Sequence, residues 1–300
     1  MIVNRDGVII LNSPSLSDRT TLRLGGTAIA EVRISDLNGL DQLPGLMSRI
    51  GGRIRVMGEG SNILARDGKL PLLLLSLAPV ESPQIVEDLG DSVLLRAPAG
   101  MRLPALLPHT ARLGLAGLEG LCGIPGNVGG AVAMNAGSFG VEMGSLVHSV
   151  RLFSPLWGLT ERDGSAFSFG YRKCELLGHD EWFLICSVTL KLPKGDKEAI
   201  RARMRDVYAK KQQSQPVTAW SAGCVFKNPA PDAPAGRLLD EVGLRGFRLG
   251  GMAFSAMHAN FLINEGNGTF AQAMELIDMA REKVSQRFGH ALEMEVRLWP

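Results

Sequence analysis

Residues 117–140, GLEGLCGIPGNVGGAVAMNAGSFG, hold eight of the chain's 36 glycines and constrain the backbone more than any other segment. Gly117, Gly120, Gly123, Gly126, Gly129, Gly130, Gly137 and Gly140 are mixed there with Leu, Ile, Val, Ala and Met. A flexible linker would interleave Ser, Gln and charged residues instead. Ordered backbone that is both glycine-dense and apolar has two physical readings. Either a ligand lies directly on the main chain, where a Cβ would obstruct it, or the glycines make tight turns between buried strands.

A second glycine loop, Gly58-Glu59-Gly60-Ser61-Asn62, follows the β-rich segment IRVM. A strand feeding a turn of small residues directs several N–H groups toward one point, a geometry that suits a pyrophosphate. The loop is neither GxGxxG nor a P-loop: Ile63 follows Asn62, and no lysine closes the pattern. Alone it reads as a turn. Paired with 123–140, it suits a long, doubly phosphorylated ligand held at two places.

With 300 residues the chain has length for two or three domains, and a hydrophobic share of 45% supplies a sizeable core. A formal net charge of +2 argues against a nucleic-acid partner, and RARMRDVYAKK, the densest basic stretch, reads as one solvated helix face. No apolar run approaches the roughly 20 residues that span a bilayer, so no membrane partner is expected. The start MIVNRDGVII has no basic segment leading into a long apolar one, as a signal peptide would. Cys122, Cys174, Cys186 and Cys224 show no metal-ligand spacing and read as reduced thiols of a cytoplasmic protein.

Short β-rich segments at Ile29–Ile34, Ile54–Met57, Ser92–Ala97, Val147–Phe153 and Phe183–Leu192 predict a strand-dominated first half with a few short helices. After Pro193 the reading turns helical over 198–213. Ala235–Val242 reads as a short helix stopped by Gly243. Thr269–Phe288 has capping-box spacing at Thr269 and Gln272, and a 3–4 apolar stripe ending before Gly289. Leu292, Met294, Val296 and Leu298 alternate with Glu293, Glu295 and Arg297, predicting a half-buried strand with both glutamates on one face.

Taken in order, TTLRLGG, GEGSN, GIPGNVGGAVAMNAGSFG, FGYR, SAGCVFKNP, AGRLLDEVGLRG, HANFLINEGN and EMEVR resemble the UDP-N-acetylenolpyruvoylglucosamine reductase (MurB) family across nearly the whole chain. The absence of a long insertion after FGYR matches the shorter, type II branch. The resemblance implies an α+β fold: a two-subdomain FAD-binding half of the PCMH/vanillyl-alcohol-oxidase type, then a C-terminal α+β substrate-binding domain. Expected boundaries are 1–75, 76–197 and 198–300.

The same resemblance implies noncovalent FAD, NADPH as co-substrate, and UDP-N-acetylglucosamine enolpyruvate as the molecule reduced, in peptidoglycan synthesis. It implies a catalytic trio. Arg172 holds the substrate carboxylate, Glu295 stabilises the enol, and Cys224 gives the proton where most of the family has serine. A thiol with pKa about 8.5 is a stronger acid than an aliphatic hydroxyl, so the departure leaves proton donation feasible. Tyr171, Lys227, Asn228 and His258 fall at substrate contacts. Gly58, Glu59, Gly60, Ser61 and Asn62 fall at the first flavin loop, and Gly123, Ile124, Pro125, Gly126, Gly129 and Gly130 at the second. Lys211 stands where an arginine is expected. No metal is implied, and the chain is expected to act as a monomer. Two rival readings remain open: another FAD-dependent oxidase of the vanillyl-alcohol-oxidase type, and a noncatalytic UDP-sugar-binding sensor. Taken singly, Arg172, Cys224 and Glu295 also admit plain structural roles.

Overall fold

A computed structural model describes residues 2–5, 7–78, 82–179 and 181–300, with backbone alone for 2–5. The chain divides into two compact units. One comprises Met1–Asn12, Ala30–Gly58 and Leu72–Lys210; the other comprises Ser13–Ile29, Glu59–Pro71 and Lys211–Pro300.

The first unit is built on two five-stranded sheets. In the first sheet, Arg53–Val56 runs parallel to Lys69–Leu77. Leu72 to Leu75 are all inaccessible to solvent, which is why LPLLLL reads as an unbroken apolar run and not as an alternation. The second sheet orders Gly158–Asp163, Val147–Ser154, Leu184–Pro193, Ser92–Pro98 and Gln84–Asp88, all antiparallel. Three of its strands close over a core that includes Val93, Leu95, Val150, Leu152, Val188 and Leu190. The expected strands therefore stand within a residue or two of their predicted ends.

One helix of this unit escapes the sequence reading. Leu103–Leu113 carries Pro104 in its first turn and Pro108 in its interior. Two prolines in eleven residues discourage a helical reading, yet Pro104 occupies a position whose N–H has no intrahelical partner anyway. Buried Leu103, Leu106, Leu107, Thr110 and Ala111 form the inner face, and Gly114 closes the helix at φ +75°.

The second unit packs the helices Ala235–Glu241 and Phe270–Phe288 against a four-stranded antiparallel sheet. Thr269 accepts from the Gln272 N–H, and the Gln272 side chain accepts in return from the Thr269 N–H. Gly289 ends the helix in the left-handed region. Residues 13–29 belong to this unit because specific bonds hold them. Thr21 donates from Oγ1 to the Ser221 carbonyl at 2.6 Å, and Asn264 donates from Nδ2 to the Leu22 carbonyl at 3.1 Å.

The C-terminal segment corrects one expectation. It is a regular strand only over Arg297–Trp299, which pairs in parallel with Ile63–Ala65. Leu292 and Val296 are buried as the alternation predicts, but Leu298 is 44% exposed. The segment changes partners along its length: Glu295 N–H donates to the Val225 carbonyl, whereas Arg297 N–H donates to the Asn62 carbonyl. That change breaks the period-two reading, and Glu293 and Glu295 end in different surroundings.

Candidate active site

In the first unit, Gly58, where the first glycine loop begins, lies against Asn127 of the second loop. A Cβ built on Gly58 would stand 2.7 Å from Oδ1 of Asn127, which itself donates from Nδ2 to the Gly100 carbonyl at 2.7 Å. The second loop is laced to residues 99–103: Leu103 N–H donates to Gly126, Val128 N–H to Met101 and Gly129 N–H to Ala99. Gly123 at φ +80° and Gly126 at φ +110° occupy backbone that side chains rarely adopt. Pro125 is exposed and Ile124 half-buried between them.

The glycines of the run are not equivalent. Gly120 and Gly129 are glycine for internal reasons, since a Cβ would lie 2.5 Å from the Ser138 carbonyl oxygen in one case and 2.9 Å from Ala99 Cβ in the other. Gly130 differs. It is exposed inside the helix Val128–Ala133, and a Cβ there meets no atom within 4 Å. Helical glycine costs about 1 kcal/mol against alanine, and no neighbour in the protein requires it here. A cofactor lying close on that helix face would account for it, and the residues present fit a flavin dinucleotide.

Arg172 and Tyr171 form the two-residue turn of a hairpin between Phe167–Gly170 and Lys173–Leu176. Arg172 takes φ +57°, uncommon for a side-chain-bearing residue, and its guanidinium carbon lies 5.0 Å from the centre of the Tyr171 ring. One guanidinium nitrogen stands 3.2 Å from where a Gly137 Cβ would be, so Gly137 leaves room for the charge.

Cys224 ends the strand Trp220–Cys224 in the second unit. Pairing with Phe261–Asn264 slips between Ser221 and Cys224, and Gly223 takes φ +79°. Such a bulge re-aims the side chain that follows it, and Cys224 is half-buried. Beyond it the chain is fixed by buried Asn260, whose Oδ1 accepts from Phe226 N–H and whose Nδ2 donates to the Phe226 carbonyl. Glu295 is half-buried and bonded through its backbone to Val225, the residue after Cys224. Its carbonyl accepts from Asn62 Nδ2 at 3.1 Å. Asn62, Cys224 and Glu295 are thus gathered in one unit, while Arg172 and Tyr171 are organised in the other.

Lys227 pairs with Glu293, whose side chain is 73% exposed. This distinguishes the two glutamates that periodicity left equivalent. Asn228 uses Oδ1 to cap the helix Ala235–Glu241 through the Ala235 N–H, at 3.0 Å. His258 accepts at Nδ1 from the Asn260 N–H, which places the proton of the neutral ring on Nε2. Burial holds its pKa below the usual histidine value. Gly236 is glycine because a Cβ would stand 2.8 Å from His258 Cε1. Lys211 is buried at the end of the helix Lys197–Ser214. Asn127, Asn135 and Asn260 lie inside the quoted motifs, but their bonding roles escape the sequence reading, because those roles depend on partners distant in the chain.

Residues 42–156 match the family model described as an FAD binding domain, and with the glycine-loop site this defines an FAD-dependent oxidoreductase of mixed α+β fold. Residues 215–299 match the C-terminal domain of UDP-N-acetylenolpyruvoylglucosamine reductase. A UDP-N-acetylenolpyruvoylglucosamine reductase of Nitratidesulfovibrio vulgaris is 51% identical over 96% of this chain and 98% of its own length. One of Oleidesulfovibrio alaskensis is also 51% identical, over 97% and 98%. The crystal structure of the Thermus caldophilus reductase superposes with a TM-score of 0.78 at 35% identity and covers 100% of both chains. The chain belongs to the UDP-N-acetylenolpyruvoylglucosamine reductase family.

Proposed function

We propose that this chain reduces UDP-N-acetylglucosamine enolpyruvate to UDP-N-acetylmuramate at the expense of NADPH, in cytoplasmic peptidoglycan synthesis. One observation carries the assignment of its acid and carboxyl groups. The Glu295 peptide is bonded to Val225 on one side and to Asn62 on the other, beside the segment that presents Cys224. Residues 1–75 and 76–197 are assigned to the flavin, and 198–300 to the substrate.

The flavin supplies, when bound, hydride transfer from NADPH to the vinyl methylene carbon. Gly58, Glu59, Gly60, Ser61 and Asn62 hold its pyrophosphate; Gly123, Ile124, Pro125, Gly126, Gly129 and Gly130 admit it close to the main chain. Negative charge then develops on the substrate carbon that bears the carboxylate. Arg172 holds that carboxylate with a planar, permanently charged fork. Glu295, in its protonated form, donates a hydrogen bond to the developing enol. The Cys224 Sγ–H delivers the proton to the charged carbon and afterwards recovers one from solvent. Tyr171, Lys227, Asn228 and His258 hold the remainder of the nucleotide sugar, His258 through its Nε2–H.

Anaerobic stopped-flow absorbance tests this reading. The yellow protein should bleach with NADPH, then regain its flavin band rapidly on addition of UDP-N-acetylglucosamine enolpyruvate, with the muramate formed. Bleaching without substrate-driven recovery would indicate an oxidase with another acceptor. A protein that purifies without flavin would indicate a sensor.

A further inference from the structure

We infer that Asn135 is a positioning residue for Arg172, an inference that rests on the carboxylate-holding role proposed for that arginine. Asn135 lies two residues beyond the helix Val128–Ala133 and so continues directly from the second glycine loop. It is 1% exposed, takes φ +40°, and points its side chain at the base of the Arg172 hairpin.

Every polar atom of that side chain is engaged. Nδ2 donates to the Gly170 carbonyl at 2.9 Å and to Oε2 of Glu142 at 3.2 Å. Oδ1 accepts from the Gly144 N–H at 2.8 Å. These partners also fix which way the amide faces, because a carbonyl and a carboxylate only accept, and a backbone N–H only donates. Gly170 is the last residue before the Tyr171–Arg172 turn. Its carbonyl therefore sets where the turn begins.

Gly144 adds a second tie, since a Cβ there would collide with the Phe169 ring. The residue that donates to Asn135 thus lies flat against the hairpin that Asn135 holds. Two residues beyond Asn135, Gly137 leaves space for the Arg172 guanidinium. A two-stranded hairpin with a side-chain-bearing residue in left-handed backbone needs outside support to keep a single geometry. Asn135 provides that support from the segment that follows the flavin loop, so substrate arginine and flavin loop are held in one register.

The test is calorimetric, with two ligands that differ only in the carboxylate-bearing enolpyruvyl group. UDP-N-acetylglucosamine enolpyruvate and UDP-N-acetylglucosamine are titrated into FAD-loaded native protein, Asn135→Ala and Asn135→Asp. Alanine removes the donor to Gly170 without adding a charge, whereas aspartate keeps the acceptor for Gly144 but turns a carboxylate oxygen toward the Gly170 carbonyl and Glu142. Denaturant melts therefore accompany both variants, and aspartate should weaken the enolpyruvyl ligand at least as much as alanine. The expected result is a loss of about tenfold or more for the enolpyruvyl ligand and under about twofold for the other. In an Arg172→Ala background the same substitutions should add less than about twofold to the loss. Equal weakening of both ligands, or additive losses with Arg172→Ala, would overturn the inference. Native protein that does not prefer the enolpyruvyl ligand would overturn the substrate reading and this inference with it. That failure is distinguishable because it appears before any substitution is made.

Discussion

Asn62 clasps the backbone around Glu295: its side-chain amide donates to the Glu295 carbonyl at 3.1 Å, and its own carbonyl accepts from Arg297 N–H at 3.0 Å. One residue of the first glycine loop therefore sets the position of a carboxyl group 233 residues away in sequence. Asn62→Ala removes one half-buried hydrogen bond and should cost about 1 kcal/mol of stability. It should slow flavin reoxidation by the enolpyruvyl substrate about tenfold, the rate equivalent of a similar energy. Asn62→Asp should be worse, because it turns an acceptor toward a carbonyl. Stopped-flow traces and denaturant melts check both, and unchanged reoxidation in Asn62→Ala would show that Glu295 needs no such clasp.

Gly129 and Gly130 are adjacent, and their alanine variants should behave oppositely. Gly129→Ala forces a methyl against Ala99 and should destabilise the apoprotein by about 1–3 kcal/mol. Gly130→Ala meets open space on a helix and should stabilise the apoprotein by roughly 0.5–1 kcal/mol. It should nonetheless weaken FAD binding about tenfold or more, since a methyl on that face corresponds to at least about 1.4 kcal/mol of lost affinity. Fluorescence titration of apoprotein with FAD separates the two effects. Native affinity in Gly130→Ala would remove that residue from the flavin site.

The four thiols should divide by reactivity. Burial pushes Cys186 up to about 12 and Cys174 up to about 11, so neither presents much thiolate near neutral pH. Mass spectrometry after mild alkylation should find both unmodified. Cys224→Ser should keep substantial turnover, whereas Cys224→Ala should lose most of the substrate half-reaction, on the order of a hundredfold. Flavin reduction by NADPH should survive in both. Wild-type reoxidation in Cys224→Ala would assign the proton to another group.

His258 should make the fold acid-sensitive. Its folded pKa is lowered by burial, so below the unfolded value of about 6.5 the unfolded chain binds more protons than the folded one. The stability contributed by neutral His258 is complete above about pH 6.5 and is lost as pH falls through the folded pKa. Denaturant melts of His258→Gln should show a shallower decline over that window than native protein. An identical pH slope would mean that the ring titrates unhindered in the folded state.

The amino-acid sequence determined the elements whose cause is local. The capping box at Thr269 and Gln272, the left-handed stops at Gly243 and Gly289, and the principal strands all follow from near neighbours in the chain. Ordered motifs from TTLRLGG to EMEVR, matched residue by residue, carried the family. Tertiary structure decided what depends on distant partners. Glu293 and Glu295 share a period but not an environment, because the first meets Lys227 and the second lies between Val225 and Asn62. Gly129 and Gly130 are one letter repeated, yet only one packs against Ala99. The two-proline helix Leu103–Leu113 stands because its apolar face is buried, which offsets a poor local propensity. Asn135 is an ordinary letter in the sequence. Its three bonds exist only once the chain has brought residues 142, 144 and 170 to it.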